Sequence, residues 1–257
     1  AMTTTIKTIF SALVFGIGSI SAQETIVATD AYRWQGDSIL QGEYKAWAVT
    51  PYEIKSTYSA RPHFFMPINK EWKLKNDISS YPRLSGKNKL LEAVYNMGLD
   101  EMVNAVEPDT TLRTGKEWAG VWTRDVSYSI ILSMAYLQPK ASMISLMKKV
   151  NKEGQIIQDT GSGGAWPIST DRMVWALAAY EIYKVTGDKE WLKKVYPIIE
   201  RSFAKDALTT YSDRGLVKGE TSFIDWREQS YPRWMQTADI AQSEAMGTNM
   251  VHAVGLQ

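Results

Sequence analysis

Hydrophobic residues recur with helical spacing over most of the chain after Pro82, and they do so in two ways. Two segments, residues 126–137 and 173–183, are apolar on nearly every side. Other segments carry one apolar stripe, which starts at Leu91, Met143 or Trp191. A helix that is apolar all round must be surrounded by protein, whereas a helix with one stripe lies outside it. The pattern therefore predicts alternating inner and outer helices, joined as helical hairpins.

Local signals place several helix ends. Gly187 followed by Asp188 combines a helix stop with an N-cap. Pro197 opposes a helix at its position, but the apolar stripe continues in register beyond it, so we predict a kink and not a break. Residues 243–256 are apolar with small residues and are predicted to begin another buried helix.

The residues before this helical part have a different character. Between residues 23 and 84, short strand-prone pieces such as 24–28 and 44–49 lie among prolines and polar residues. We therefore predict an extended or small β lead-in over 23–84, followed by a helical domain over 85–257.

The first residues have the pattern of a secretory signal peptide over 2–22. Lys7 precedes an apolar run over 9–20, which ends in the small residues Ser21 and Ala22. The alternative is a buried N-terminal helix. The pattern favours an exported protein, periplasmic or extracellular, with no membrane segment once the signal is removed, because no other stretch approaches the length needed to cross a bilayer.

Composition excludes several kinds of site. The 257 residues have a formal net charge of +1, and no Lys/Arg cluster indicates a nucleic-acid partner. Without Cys and with only two His, the chain has no disulfides or thiolate metal sites, and a zinc site is not predicted. We predict no cofactor and no metal ligands; an oxygen-ligated calcium site stays open but unmarked. Oligomeric state is open too.

The unusual residues collect in three loops that lead into the inner helices. These loops cover residues 118–125, 159–172 and 219–234, and each mixes Trp with Arg and carboxylates. If the helices form hairpins, every connection from an outer to an inner helix emerges at the same end. We therefore expect the three loops to converge on one mouth.

The loops resemble those of the six-hairpin glycosidases, the group that holds glucoamylases, glycogen-debranching glucosidases, trehalases and processing α-glucosidases. The resemblance covers about residues 85 to 257. It is carried by the motif at 122–125 (Trp-Thr-Arg-Asp), by Asp171-Arg172 after a Gly-rich loop, and by Asp225-Trp226 followed by Arg233-Trp234.

This resemblance implies an all-α fold, an (α/α)6 toroid of helical hairpins, of which only the first half is present. A full toroid needs roughly 350 residues or more. The implied general base lies in the second half of the ring, so the expectation is either a fragment of a longer enzyme or a half-ring without activity. An irregular helical bundle is the alternative fold.

The implied activity is glycoside hydrolysis, inverting and exo-acting on an α-linked oligosaccharide or polysaccharide. Hydrolysis needs one protonated carboxyl and one carboxylate. Asp225, between Ile224 and Trp226, lies in the apolar setting that keeps a carboxyl protonated, and it is the predicted general acid. Glu220 and Glu228 are the alternatives.

The remaining candidates are assigned to substrate binding. Arginine and carboxylate side chains suit adjacent sugar hydroxyls, and tryptophan suits the apolar face of a sugar ring. The candidates are Trp122, Arg124, Asp125, Trp166, Asp171, Arg172, Trp226, Arg227, Arg233 and Trp234.

Blander interpretations stay open. The pairs Arg124-Asp125 and Asp171-Arg172 also suit helix capping with a local ion pair, and Trp175, Trp191 and His252 suit the core. A toroid-derived module that binds glycan without turnover is the second functional hypothesis. Terpene cyclases and sugar epimerases are less favoured, because the aspartate-rich cyclase motif is absent and two histidines are too few for the usual epimerase site.

Overall fold

The computed structural model describes residues 24–58, 70–158, 169–220 and 231–257. These residues divide into two compact units. The first consists of the described residues up to Leu74 together with Leu84–Tyr95, and the second consists of Lys75–Arg83 and the described part of Asn96–Gln257. Each unit is described by itself.

The first unit contains a six-stranded antiparallel sheet in which the strands pair in chain order. The strands are β1 (Thr25–Ala28), β2 (Arg33–Gln35), β3 (Ser38–Gln41), β4 (Tyr44–Thr50), β5 (Glu53–Ser56) and β6 (Glu71–Lys73). Strand-prone residues were predicted at 24–28 and 44–49, and both predictions are confirmed by β1 and β4. The sheet is far larger than the small lead-in that was predicted.

Two-residue loops explain why these short segments form hairpins. Gly36 and Gly42 each have a positive φ, of 49° and 58°, in the loops that follow β2 and β3. Tight hairpin turns need such left-handed backbone, which glycine adopts without a steric penalty. These two glycines therefore allow the chain to reverse immediately after β2 and after β3.

One face of the sheet is covered by the first turns of helix α1 (Lys89–Asn104). Leu90 and Ala93 of the helix form a buried cluster with Ala48 of β4, and Trp34, Ile54 and Trp72 of the sheet pack against it. The start of the helix is fixed to the loop between β2 and β3, because the Asp37 carboxylate accepts a hydrogen bond of 2.9 Å from the backbone N–H of Lys89.

The second unit is helical. Its elements after α1 are α2 (Thr123–Ser129), which continues through a π-helical stretch (Ile130–Met134) into α3 (Ala135–Leu137), then α4 (Pro139–Met147), a 3₁₀ turn (Thr170–Met173), α5 (Val174–Thr186), α6 (Lys189–Thr209), α7 (Thr237–Gln242) and α8 (Met246–Gly255). Gly187 ends α5 with φ 66°, Asp188 caps α6, and α6 continues through Pro197. These predicted helix ends are confirmed. The helix predicted within 243–256 forms as α8, but its predicted burial is only partly confirmed, because Met246, Met250 and Val254 are 78%, 61% and 55% exposed.

The predicted fold class is wrong. The described structure is mixed α/β, 46% helical and 17% strand, with a six-stranded antiparallel sheet, and it is not an all-α toroid. The resemblance to the six-hairpin glycosidases is therefore overturned as an assignment of family. The error arose because three-residue and four-residue strands show too little alternation to compete with long helical stripes.

The predicted burial of the inner helices is only partly confirmed. Trp175 and Ile182 of α5 are fully buried. Leu132 and Tyr136, in the segment predicted to be surrounded, are 81% and 66% exposed. Tyr180 of α5 is also 54% exposed. In the part of the chain that the structure describes, the prediction is therefore wrong for one face of the π-helical stretch and α3 and for Tyr180 of α5.

A turn occurs three times in the second unit, after α1, α4 and α6. In each copy two residues six positions apart form an isolated antiparallel bridge: Val106 with Leu112, Val150 with Ile156, and Tyr211 with Val217. The fourth residue after the first member has a positive φ in each case: Thr110, Gly154 and Gly215. The chain therefore contains a structural repeat that the hydrophobic pattern did not reveal.

Each copy of this turn is fixed to a later helix by the same kind of hydrogen bond. The backbone N–H of the second bridge residue donates to a side-chain oxygen, at Ser145 Oγ in the first copy, Ser202 Oγ in the second and Asn249 Oδ1 in the third, over 2.8, 3.0 and 2.9 Å. A buried N–H without a partner is costly, so these three bonds set the spacing between each turn and the helix behind it.

None of the helices in the described residues has the length and apolar character required to cross a membrane.

Candidate functional site

Three of the predicted site residues meet in one buried cluster. Arg124 Nη1 lies 2.6 Å from Asp171 Oδ2 and 3.5 Å from Glu220 Oε2. All three side chains are nearly excluded from solvent, with exposures of 8%, 0% and 3%. One guanidinium therefore serves two carboxylates that come from different loops, and the formal charge of the cluster is −1.

Threonine hydroxyls position two members of this cluster, Arg124 and Asp171. Thr123 Oγ1, next to Arg124, donates to the carbonyl of Ile157 over 2.6 Å, and Thr170 Oγ1, next to Asp171, donates to the carbonyl of Lys218 over 2.8 Å. Both carbonyls belong to residues that immediately follow the second bridge residue of a turn. Each helix start is thus bound to the next copy of the repeated turn.

The third loop is held by Ser243, which directly follows α7, and by Thr248 of α8. Thr248 Oγ1 donates to the Glu220 carbonyl over 2.5 Å, and the Gly219 backbone N–H donates to the Ser243 carbonyl over 2.8 Å. Gly219 has a φ of 131°, a conformation that side-chain-bearing residues rarely adopt. This backbone places the Glu220 carboxylate beside Arg124.

A second buried cluster is built around Arg172, the residue that directly follows Asp171 in the sequence. Arg172 Nη2 and Nη1 lie 2.9 and 3.3 Å from the two carboxylate oxygens of Asp206 in α6. Arg172 also donates from Nε to the Ile156 carbonyl and from Nη1 to the Ser169 carbonyl. Because Arg172 is 2% exposed and its donors are used by the protein, the geometry favours a structural role over sugar binding.

His252 of α8 completes this second cluster. Its Nε2 lies 2.9 Å from the Thr170 carbonyl and 3.9 Å from Asp206 Oδ2, and its ring packs edge-on against Phe203. Since a carbonyl can only accept, Nε2 carries the proton. Burial lowers the pKa of His252, and the hydrogen bond to Thr170 opposes that shift. The predicted core role of His252 agrees with its 3% exposure.

We expect His252→Gln to flatten the pH dependence of stability below about pH 6.5, the unperturbed pKa of histidine. In the unfolded chain the imidazole takes up a proton at that pH, whereas the buried ring with its lowered pKa does not. The wild type therefore loses stability as the pH falls, by at most about 1.4 kcal/mol per pH unit from this group.

Urea unfolding at pH 7.5, 6.5, 5.5 and 5.0 measures the effect. Carboxylates titrate in both proteins, so the difference between the two curves isolates the histidine. Curves that stay parallel over this range would contradict the burial-driven shift in the pKa.

The other predicted site residues in the described part of the chain are not gathered into these clusters. Trp122 is half-buried and directly precedes α2, and Asp125 is exposed in its first turn. Arg233 is exposed, and Trp234 is 70% exposed. The predicted general acid Asp225, its alternative Glu228, and the binding candidates Trp166, Trp226 and Arg227 lie outside the described residues.

Two sequence predictions of core tryptophans are confirmed. Trp175 is fully buried and its indole N–H donates to the Leu146 carbonyl, while Trp191 is 5% exposed and donates to the Ala179 carbonyl. A buried indole N–H needs such an acceptor. Sequence reasoning missed Asp206 and the threonines, although a threonine directly before both Arg124 and Asp171 was a visible signal.

A small pocket of about 140 Å³ lies beside the second cluster, lined by Asn151, Gln155, Ile156, Ile157, Arg172, Ser202 and Lys205. Pockets for organic ligands usually measure roughly 300–1,000 Å³. This one has room for water or an ion, so it is not a candidate for a sugar site. Within the described ranges, no group of three or more acidic or histidine side chains is placed to hold a metal ion.

Chemically, the first cluster keeps two carboxylates in one place at low exposure. Arg124 offsets the repulsion that two buried negative charges would otherwise feel. Paired carboxylates held by protein and not by water are the groups that proton-transfer chemistry uses.

When the chain is compared with protein-family models, with curated proteins and with solved structures, none of the three comparisons finds a match.

Proposed function

We propose that this protein is an exported glycoside hydrolase that acts on an α-linked oligosaccharide or polysaccharide. The observation that carries the proposal is the cluster of Arg124 with Asp171 and Glu220, since the ion pair with Asp171 fixes Arg124 beside a second, nearly buried carboxylate, that of Glu220. Hydrolysis of a glycosidic bond requires one carboxyl to protonate the leaving oxygen and another to activate water or attack the sugar.

The surroundings of the cluster support a carbohydrate as the substrate. Trp122 lies two positions before Arg124 and is half-buried, and Trp118 is 54% exposed beside it. Tryptophan rings present an apolar face with a polar edge, which suits the C–H face and the hydroxyls of a sugar ring. Asp125, exposed in the same turn as Arg124, adds a carboxylate that can accept bonds from hydroxyls.

In this proposal Arg124 is a positioning residue, because its guanidinium is nearly buried and bound to protein carboxylates. Glu220 is the carboxylate of the described structure proposed to transfer the proton, and Asp171 holds Arg124 in place. Asp225, the acid that the sequence favours, is the candidate for the second carboxyl group that hydrolysis requires.

The test is hydrolysis by the protein as it exists. Purified protein is incubated with α-linked gluco-oligosaccharides, manno-oligosaccharides and their polysaccharides, and released reducing ends are counted over time. The proposal expects release above a buffer blank from one substrate class. No release from any α-linked or β-linked saccharide, by protein that unfolds cooperatively, would contradict it.

One observation favours a second candidate, a glycan-binding protein without turnover. Both carboxylates of the cluster are in contact with Arg124, an arrangement that can serve stability alone. Calorimetry distinguishes the two candidates. Heat of binding with no released sugar would support the binding module, and turnover of the same saccharide would support the hydrolase.

A further inference from the structure

Trp118 is exposed in a way that is unusual for such a large apolar side chain. Its indole is 54% exposed, although it belongs to a loop that is firmly held. Gly115 and Trp118 exchange two backbone hydrogen bonds, of 3.2 and 3.1 Å, around the two residues between them. The loop is therefore a tight hairpin with Trp118 at its end.

Arg113 holds two carbonyl groups of this hairpin in place. Its Nε donates to the Gly115 carbonyl over 2.9 Å, and its Nη2 donates to the Lys116 carbonyl over 2.8 Å. Its Nη1 lies 3.4 Å from a carboxylate oxygen of Glu107. An arginine with these partners fixes the loop carbonyls, so Trp118 is presented from a constrained backbone.

The ring itself is oriented by a second tryptophan. Trp118 and Trp122 stand edge to face, with ring centroids 6.5 Å apart and planes at 84°. This is the arrangement that aromatic quadrupoles favour. Trp122 directly precedes the helix that carries Arg124, so the contact between the two rings connects Trp118 to the start of that helix.

We propose that Trp118 is a saccharide-stacking residue that holds a sugar unit of the glycan outside the position cleaved. This proposal rests on the proposed function. A rigid aromatic face loses little conformational entropy when a ring stacks on it. Lys116 and Glu117, exposed at the tip of the same hairpin, carry opposite charges, which suits a neutral sugar with hydroxyl groups and not a charged polymer.

The experiment compares short and long saccharides on wild type and Trp118→Leu. Leucine keeps an apolar side chain but removes the aromatic face. The probes are α-linked gluco-oligosaccharides and manno-oligosaccharides of two and five units, and the readouts are Kd by calorimetry and initial rates of hydrolysis. We expect Trp118→Leu to weaken binding of the long probe by about tenfold and to leave the short probe within about twofold.

Two further variants sharpen the result. Arg113→Lys removes the hydrogen bonds to the loop carbonyls but keeps the positive charge and the Trp118 indole. It is expected to weaken binding of the long probe as well. Tyr196→Ala removes an aromatic ring that is 62% exposed on α6. It is expected to leave the binding and hydrolysis of both probes unchanged. A loss in Tyr196→Ala equal to that in Trp118→Leu would overturn the assignment.

The outcomes separate the two proposals. If wild type binds and hydrolyses a saccharide but Trp118→Leu handles both lengths as wild type does, the stacking role is wrong and the proposed function stands. If wild type binds no saccharide, both are wrong. If sedimentation shows instead that Trp118 joins two copies of the chain, with a concentration-dependent mass that Trp118→Leu abolishes, the surface is a self-association site and the saccharide role is overturned.

Discussion

Replacing Glu220 with Gln is expected to lower kcat/KM for the hydrolysed saccharide by about 10²–10⁴. Glutamine has nearly the same shape, so the loop held by Thr248 and Gly219 should keep its position. What it lacks is the carboxylate that would transfer a proton. The loss should appear mainly in kcat, because it removes an interaction made in the transition state.

The assay includes a control variant and a second test variant. Glu190→Gln changes a glutamate whose side chain is 81% exposed on α6, and it should retain wild-type activity. Asp225→Asn tests the acid favoured by the sequence. If Glu220→Gln stays within about tenfold of wild type while Asp225→Asn loses about 10²–10⁴, Glu220 is not the proton-transferring group. Unfolding curves for each variant show whether a loss of activity reflects a loss of fold.

Replacing Arg172 with Met is expected to lower the free energy of unfolding by about 3–5 kcal/mol. Asp206 has no exposed surface, and its carboxylate receives two hydrogen bonds from Arg172. Without the guanidinium, the buried Asp206 carboxylate loses this ion pair, and the carbonyls of Ile156 and Ser169 each lose a side-chain donor. Urea unfolding followed by tryptophan fluorescence measures the difference.

A double variant tests the reason. Arg172→Met combined with Asp206→Leu removes both charges, so it should be more stable than Arg172→Met alone. Lys193→Met provides the matched control, because it removes a cation whose side chain is 72% exposed in a pair on α6, worth about 0.5 kcal/mol or less. A double variant that is as unstable as the single one would contradict the loss of the Arg172–Asp206 ion pair as the cause.

Helical signals in this sequence were readable because they are local. Gly187, Asp188 and the stripe that passes Pro197 each act within a few residues, and the structure follows them. The sheet was less readable. Its strands of three to seven residues were outweighed by the helical stripes, although Gly36 and Gly42 marked two of the hairpin turns.

The residues of the candidate site could also be predicted only in part from the sequence. The sequence identified Arg124, Asp171 and Glu220 as residues of interest, since charged residues gathered near tryptophans in three loops. It could not distinguish Arg124 from Arg172. Arg124 contacts two carboxylates from other loops. Arg172 is paired with Asp206, which lies 34 positions later on a helix that carried no functional signal.

The sequence by itself determined the helices, their caps and the loops in which charged and aromatic residues collect, because those features depend on neighbours within one or two turns. Only the tertiary structure decided the six-stranded sheet, the repeated turn and the partner of each arginine. The repeated turn and the arginine pairs depend on hydrogen bonds between residues 32 to 47 positions apart, such as Leu112 to Ser145 and Arg124 to Asp171. The sheet depends on the pairing of short strands and on the helix that packs against them. Their energies depend on burial, which no local pattern of residues specifies.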